Sequence, residues 1–210
     1  MSENKKKIIT VIGSESEIGK KLIHNLKNKH KVLSISNKNS KNKYTHINLT
    51  ASLVKQKIKF ENLKLKKNFF SSSCIVFLIG KFEKTKSNYS EILYESNFKV
   101  NFNILKFLSD NKKKFSHPCK CIILNSMNSI IPNKKSAIYA TSKSALTTAV
   151  QHFKQQWKNT NLSIENIMAG PIKTKMRQNN KDSLDKKEIL KLINFLISAD
   201  KNTTFGNIEI

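Results

Sequence analysis

The 210-residue chain has little cysteine, glycine, proline or arginine. Its three cysteines are an odd number, which argues against a disulfide framework. It also lacks an apolar run of about 18 residues, so we expect no membrane-spanning helix and a cytoplasmic protein. Hydrophobic residues make up 38% of the chain and include twelve Phe, a composition typical of one globular domain rather than of a disordered chain.

Acidic residues are scarce too. The chain has 39 Lys and Arg against 14 Asp and Glu, and its net charge is +25. Binding to nucleic acid could explain that charge, but Arg177 is the only arginine, and arginine is the preferred side chain for contacts to bases. The lysines are spread along the whole chain. We therefore predict no specific nucleic-acid site; any such binding should be weak, indifferent to sequence and abolished by salt.

The cysteines and histidines do not form a recognisable metal motif. Cys119-x-Cys121 could be half of a metal site, but no second ligand pair is near it and the five histidines are scattered. The sequence therefore predicts buried thiols on strands and no metal site.

Short apolar runs alternate with longer amphipathic stretches. This pattern predicts an α/β fold, a doubly wound parallel sheet of Rossmann-like type, as a single domain over residues 1–210 with helices on both faces. The predicted strands are residues 7–12, 31–36, 44–47, 74–79, 121–125, 162–167 and 207–210. The predicted helices are residues 18–29, 51–60, 88–109, 136–158 and 185–197.

Glycines mark the turns that follow the predicted strands. Gly13 and Gly19 flank the first strand-to-helix turn, and Gly80 and Gly170 follow two later strands. Open parallel sheets bind ligands at this edge. Backbone N–H groups and the positive end of the helix dipole would make the first turn a pyrophosphate site, although a merely tight turn would show the same glycines.

A second pattern is the pair Tyr139 and Lys143. At positions i and i+4 they lie on one helical face, where an ammonium group would lower the pKa of the phenol and make it a useful acid/base near neutral pH. Ser126 ends a buried strand thirteen residues upstream and places a hydroxyl at the same sheet edge. Taken alone, the pair could also be a core tyrosine beside a solvated lysine.

These residues together resemble the short-chain dehydrogenase/reductase family. The likeness extends over residues 7–210 and is most specific over residues 139–146. It implies an enzyme that moves a hydride between a nicotinamide cofactor and a carbonyl or alcohol. It also implies a homodimer or homotetramer built on the two long helices. The motifs that carry it are Gly13-x5-Gly19, Ser126, Tyr139-x3-Lys143 and Gly170-Pro171-Ile172-Lys173-Thr174.

The resemblance implies a role for each catalytic residue. Tyr139 would donate the proton to a carbonyl oxygen, and Lys143 would lower the tyrosine pKa and bind the nicotinamide ribose. Ser126 would hold the substrate oxygen, and Asn101 would help to order a proton-relay water. The implied cofactor contacts are Gly13, Ser14, Glu15, Ser16, Glu17, Ile18, Gly19, Ser36, Asn37, Lys38, Asn48, Leu49, Gly80, Tyr139, Lys143, Gly170, Ile172 and Thr174.

The end of the second strand favours NADP(H) over NAD(H). NAD enzymes place a carboxylate there for the ribose 2′-hydroxyl, and residues 34–38 contain none. Lys38, with Ser36 and Asn37, could bind a 2′-phosphate instead. Lys38 could equally be one more solvated lysine, so the missing carboxylate carries more of the argument.

Several positions depart from the family pattern. Glu17 replaces the middle glycine of the first turn, and residues 77–80 read Phe-Leu-Ile-Gly instead of Asn-Asn-Ala-Gly. Asn48 replaces an aspartate that contacts adenine, and Ala169 replaces a proline. These departures favour a non-catalytic dinucleotide-binding or scaffold protein as an alternative, and the basic charge leaves open an RNA- or membrane-surface protein. The intact serine, tyrosine and lysine favour the enzyme.

The segment at residues 176–184 is short and polar, so we expect a reduced substrate lid. An open site would suit a bulky or carrier-bound carbonyl substrate.

Overall fold

The computed structural model describes residues 6–36, 45–48, 63–82, 90–131, 137–174, 183–200 and 203–210. Within these ranges, parallel strands form one seven-stranded sheet in the order β3-β2-β1-β4-β5-β6-β7. The strands are β1 (Ile8–Ile12), β2 (Lys31–Ser36), β3 (Thr45–Asn48), β4 (Cys74–Phe77), β5 (Cys119–Ser126), β6 (Leu162–Ala169) and β7 (Asn207–Glu209).

Helices cover both faces of the sheet. The helices of the described ranges are α1 (Glu17–Leu26), α2 (Leu63–Phe70), α3 (Ser90–Tyr94), α4 (Val100–Asp110), α5 (Ala137–Gln156) and α6 (Lys186–Ser198). A π-helical turn at Glu95–Lys99 joins α3 to α4. None of the described helices is long and apolar enough to cross a membrane.

The strands are apolar on both sides because each side packs against a layer of helices. Along β1, Ile12 packs into the core beneath α2, α4 and α5, whereas Ile9 and Val11 pack into the opposite core beneath α1 and α6. This alternation follows from the two-residue period of a strand. Continuous apolar runs such as β4 are therefore central strands with two buried faces.

The two helices nearest the first turn begin at capped residues. The Ser16 side chain accepts a hydrogen bond from the Gly19 N–H at the start of α1, and Asp185 accepts one from the Lys187 N–H at the start of α6. Both helices bury an apolar face in the same core layer. The starts of α1 and α6 therefore lie near each other at the sheet edge where the strands end.

The structure confirms the predicted fold class and most elements, with differences of a few residues at their ends. Helix α2 was not predicted, because residues 63–70 contain three lysines and their apolar positions are not helically spaced throughout. Its buried residues Leu65, Phe69 and Phe70 lie on one helical face that packs into the core beneath the sheet. The long helix predicted at 88–109 contains the π-helical turn. The helix predicted at 51–60 lies outside the described residues.

The strand order places a crevice between β1 and β4. From β1 the chain moves outward to β2 and β3, then crosses back so that β4 pairs with the other side of β1. Ligands of doubly wound sheets bind at such a reversal, beyond the carboxyl ends of the strands. The first turn, Gly80 and the end of β5 are at this edge.

Candidate active site

The first turn depends on the absence of a side chain at Gly13. Gly13 has φ +84°, a left-handed conformation, and a Cβ atom there would lie 2.6 Å from the Leu78 carbonyl oxygen. Its N–H donates to the Ile35 carbonyl oxygen at 2.9 Å. The turn is thus held against both β2 and the segment that follows β4.

The hydroxyls of Ser14 and Ser16 hold this turn, Ser14 against β2 and Ser16 against the start of α1. The Ser14 hydroxyl donates to the Ile35 carbonyl oxygen at 3.2 Å, and the Ser16 hydroxyl accepts from the Gly19 N–H at 3.0 Å. A Cβ on Gly19 would lie 2.5 Å from the Gly13 carbonyl oxygen. Ser14 and Ser16 therefore shape the turn, and the backbone and helix dipole remain to attract an anion.

Both glutamates of the turn are paired with lysines. Glu15 lies 3.2 Å from the Lys20 ammonium, and Glu17 pairs with Lys186 at the start of α6. Sequence reasoning missed Lys186, since nothing local connects residues 17 and 186. Lys186 offsets the negative charge of Glu17, which replaces the family's middle glycine, and Lys20 offsets that of Glu15.

The tyrosine and lysine lie together on α5, as their spacing predicts. The Lys143 ammonium is 5.8 Å from the centroid of the Tyr139 ring. Tyr139 is half-buried, and its ring makes an edge-to-face contact with Phe82 at a centroid distance of 5.0 Å. The phenol is therefore held between the segment that follows β4 and the lysine.

Lys143 is the buried charge of the site. It is only 4% exposed, and burial lowers its pKa from 10.5 to about 8 because the ammonium has lost solvent. A cation that is costly to bury and stands beside a phenol is typical of a tuned acid/base site.

Ser126 and Tyr139 are set relative to each other by bonds between the end of β5 and α5. The Ser126 hydroxyl accepts from the Asn128 N–H at 3.3 Å, and the Ser144 hydroxyl of α5 donates to the Ser129 carbonyl at 2.6 Å. The Asn125 amide donates to the Thr147 hydroxyl at 2.8 Å. These contacts hold the serine-bearing turn against the helix that carries the tyrosine.

Asn97, which the sequence did not single out, contacts the segment that follows β4. Asn97 is fully buried, and its amide accepts from the Lys81 N–H at 2.7 Å and donates to the Lys81 carbonyl at 3.0 Å. It also donates to Ser142 at 3.3 Å. The Asn101 amide instead donates to the Asn97 carbonyl of its own helix at 3.0 Å. Both side chains are buried, and the role of Asn101 in ordering a water stays a prediction.

Gly80 lies next to both the Asn97 amide and the Lys143 ammonium. A Cβ atom there would be 3.0 Å from the Asn97 side-chain oxygen and 3.2 Å from the Lys143 nitrogen. Glycine therefore leaves a small space bordered by an amide and an ammonium, on the strand edge where a dinucleotide would lie. An ammonium beside a glycine, next to a turn at a helix N-terminus, is a set of donors whose chemistry suits the ribose and phosphates of a dinucleotide.

The remaining predicted cofactor residues are less informative. The Gly170 N–H donates to the Ile210 carbonyl at 2.7 Å, and Ile172 pairs with Leu184. Ser36 is buried and lies opposite Asn48 in the pairing of β2 with β3. Thr174 is half-buried at a bend. Asn37, Lys38 and Leu49, with most of the predicted lid, are outside the described residues.

The three thiols are buried away from this edge. Burial raises the pKa of Cys74 and Cys119, so both side chains remain protonated at neutral pH.

Comparison with known proteins places this geometry in a family. The family model of short chain dehydrogenases matches residues 78–185, about half of the chain, including Ser126, Tyr139 and Lys143. The protein therefore belongs to the short-chain dehydrogenase/reductase family of oxidoreductases, as the sequence motifs predicted. No curated protein matches it in sequence.

Solved structures agree on the fold at low sequence identity. A short chain dehydrogenase from Burkholderia cenocepacia in complex with NADP aligns with TM-score 0.77 and 13% identity, over 99% of this chain and 89% of the other. The aldohexose dehydrogenase of Thermoplasma acidophilum gives 0.77 and 16%, over 100% and 94%. The 3-ketoacyl-(acyl-carrier-protein) reductase of Brucella melitensis complexed with NADH gives 0.76 and 12%, over 99% and 98%.

Proposed function

We propose that the protein is an NADP(H)-dependent oxidoreductase that reduces a carbonyl, or oxidises the corresponding alcohol, with Tyr139 as the acid/base. The observation that carries the proposal is the buried Lys143 ammonium, which lies beside the Tyr139 ring and faces the space left at Gly80. Burying an ammonium costs free energy, and a lysine with only a packing role at this position would destabilise the fold with no gain in function.

Each residue has a task in this mechanism. The bound nicotinamide would supply or accept the hydride. Ser126 would donate a hydrogen bond to the substrate oxygen, and Tyr139 would transfer a proton to that oxygen in the direction of reduction. The Lys143 ammonium would stabilise the tyrosinate that remains. Phe82 would keep the phenol ring fixed while it acts.

Asn97, rather than Asn101, is the asparagine that we propose to support this set. Its amide bonds both backbone groups of Lys81 and lies beside the space at Gly80, where the Lys143 ammonium ends. It would therefore position the segment after β4 and the lysine together.

The proposed activity can be tested by a screen. Carbonyl compounds of several classes, including sugar derivatives and acyl thioesters, would be incubated with the protein and NADPH while oxidation of the cofactor is followed. We expect at least one class to be reduced. With NADPH that carries deuterium at its hydride position, the deuterium should be found on the new carbinol carbon. Binding of NADPH without turnover of any class would favour the scaffold alternative, which Glu17 and the changed residues 77–80 support.

The cofactor preference gives a prediction for Lys38. We expect NADPH to bind more tightly than NADH, because residues 34–38 hold no carboxylate, and Lys38→Ala to weaken NADPH about tenfold while leaving NADH unchanged. Fluorescence titration of both cofactors measures this. Equal losses for the two cofactors would show that Lys38 does not bind the 2′-phosphate.

The assembly we propose is a homodimer or homotetramer built on α4 and α5. An apolar groove between these helices is lined by Phe98, Phe102, Ala145, Ala149 and Phe153, with His152 at its side. A second copy of the same face would cover these aromatic rings, as is typical of a two-fold interface. Sedimentation equilibrium should give the mass of a dimer or tetramer, and a monomer at micromolar concentration would contradict the proposal.

A further inference from the structure

The first turn presents an electrostatic problem for a dinucleotide. The N-terminus of α1 attracts phosphates, but Glu17 is the first residue of that helix, where the family has a glycine. A carboxylate at that position would repel a diphosphate held by the same helix end. Glu17 must therefore be neutralised if the turn is to accept the cofactor.

Lys186 supplies the opposite charge. It is the first residue of α6, and its ammonium pairs with the Glu17 carboxylate although 169 residues separate them. Both side chains are partly buried, with exposures of 20% for Lys186 and 31% for Glu17, so the pair is less screened by solvent than a fully exposed ion pair.

The pair is held in place by the packing beneath it. Ile18 and Leu22 of α1 and Ile189 and Ile193 of α6 belong to one buried cluster, which fixes the two helix starts relative to each other. Asp185 caps α6, and its pKa is lowered by the hydrogen bond from the Lys187 N–H and then by nearby lysines. Asp185 is therefore ionised and accepts a hydrogen bond from the backbone of its own helix. Lys186, the next residue, pairs with Glu17.

We propose that Lys186 is a positioning residue for cofactor binding: it neutralises Glu17 and so allows the turn at Gly13–Gly19 to accept a diphosphate. The inference rests on the proposed function, because it requires that a dinucleotide binds this turn. Lys186 lies outside the family motifs of the chain and would nevertheless determine the affinity for the cofactor.

The test is a double-mutant cycle read by NADPH binding. Lys186→Met should weaken NADPH on the order of tenfold, because Glu17 then loses the opposite charge of Lys186. Glu17→Gln alone should bind NADPH at least as tightly as the wild type, and adding Lys186→Met to it should cost less than threefold. Lys186→Arg should keep the affinity. Lys187→Met, which removes an exposed lysine from the same helical turn, is the matched control and should change little.

The outcomes separate three possibilities. If the wild type does not bind NADPH, the proposed function fails. If it binds and Lys186→Met binds equally well, only the role of Lys186 is wrong. If Glu17→Gln weakens binding as much as Lys186→Met, the pair acts as a structural link between helices and the neutralisation is refuted. Thermal unfolding of each variant identifies any loss of affinity that comes from misfolding.

Discussion

Replacing Tyr139 by phenylalanine is expected to reduce turnover by on the order of a hundredfold or more while leaving the fold and cofactor binding nearly intact. The substitution removes only the hydroxyl, so the ring keeps its edge-to-face contact with Phe82 and its place above Lys143. The measurement is the rate of NADPH oxidation with a substrate found by the screen, together with NADPH titration and thermal unfolding.

Tyr94→Phe is the matched control for this experiment. Tyr94 is 42% exposed on α3, and its ring packs on Phe98, so losing its hydroxyl should affect neither turnover nor binding. Full activity of Tyr139→Phe in an active preparation would falsify the proposed acid/base, whatever the fold. An equal loss in both tyrosine variants would point to a general effect on the protein rather than to chemistry.

Lys143→Met is the second substitution with a large expected effect. Methionine keeps the length of the side chain and suits a buried position, but it removes the charge that would stabilise the tyrosinate and bind the ribose. We expect turnover to be lost and NADPH to bind at least about tenfold more weakly. Lys158→Met removes an equal charge from an exposed position and should change neither quantity.

The same variant should be more stable than the wild type without cofactor. The pKa of Lys143 is about 8 in the fold, below its ordinary value of 10.5, so the folded state carries a buried charge at neutral pH. Between these two values the unfolded chain binds more protons, and the wild type gains stability as pH rises. The stability advantage of Lys143→Met, measured by thermal unfolding, should therefore be largest near pH 7 and shrink toward pH 10. An advantage that does not change with pH would contradict a buried ammonium.

The sequence predicted those features that depend on short-range pattern. Apolar runs located the strands, glycines located the turns at the edge where strands end, and the spacing of Tyr139 and Lys143 placed both on one face of α5. These signals are local, and packing shifts their ends by only a few residues. The resemblance to the family then predicted that these separate motifs are parts of one site.

What the sequence did not predict depends on tertiary contacts. The partner of Glu17 is fixed by the packing of α1 on α6, which no local pattern reports. The roles of Ser14 and Ser16 in holding the first turn follow from the approach of β2 and from the cap of α1. The contact of the Asn97 amide with Lys81 depends on the approach of the segment after β4 to the helix, which no local pattern reports.

We propose that this chain binds a nicotinamide dinucleotide at the edge formed by the first turn, Gly80 and Lys143. Titration of the wild-type protein with NADPH and NADH, followed by fluorescence, tests it most directly and requires no substrate. We predict saturable binding of one NADPH per chain, displaced by NADP⁺ and tighter than that of NADH. Absence of saturable binding of either cofactor at millimolar concentration, in a protein that is folded by circular dichroism, would contradict the account.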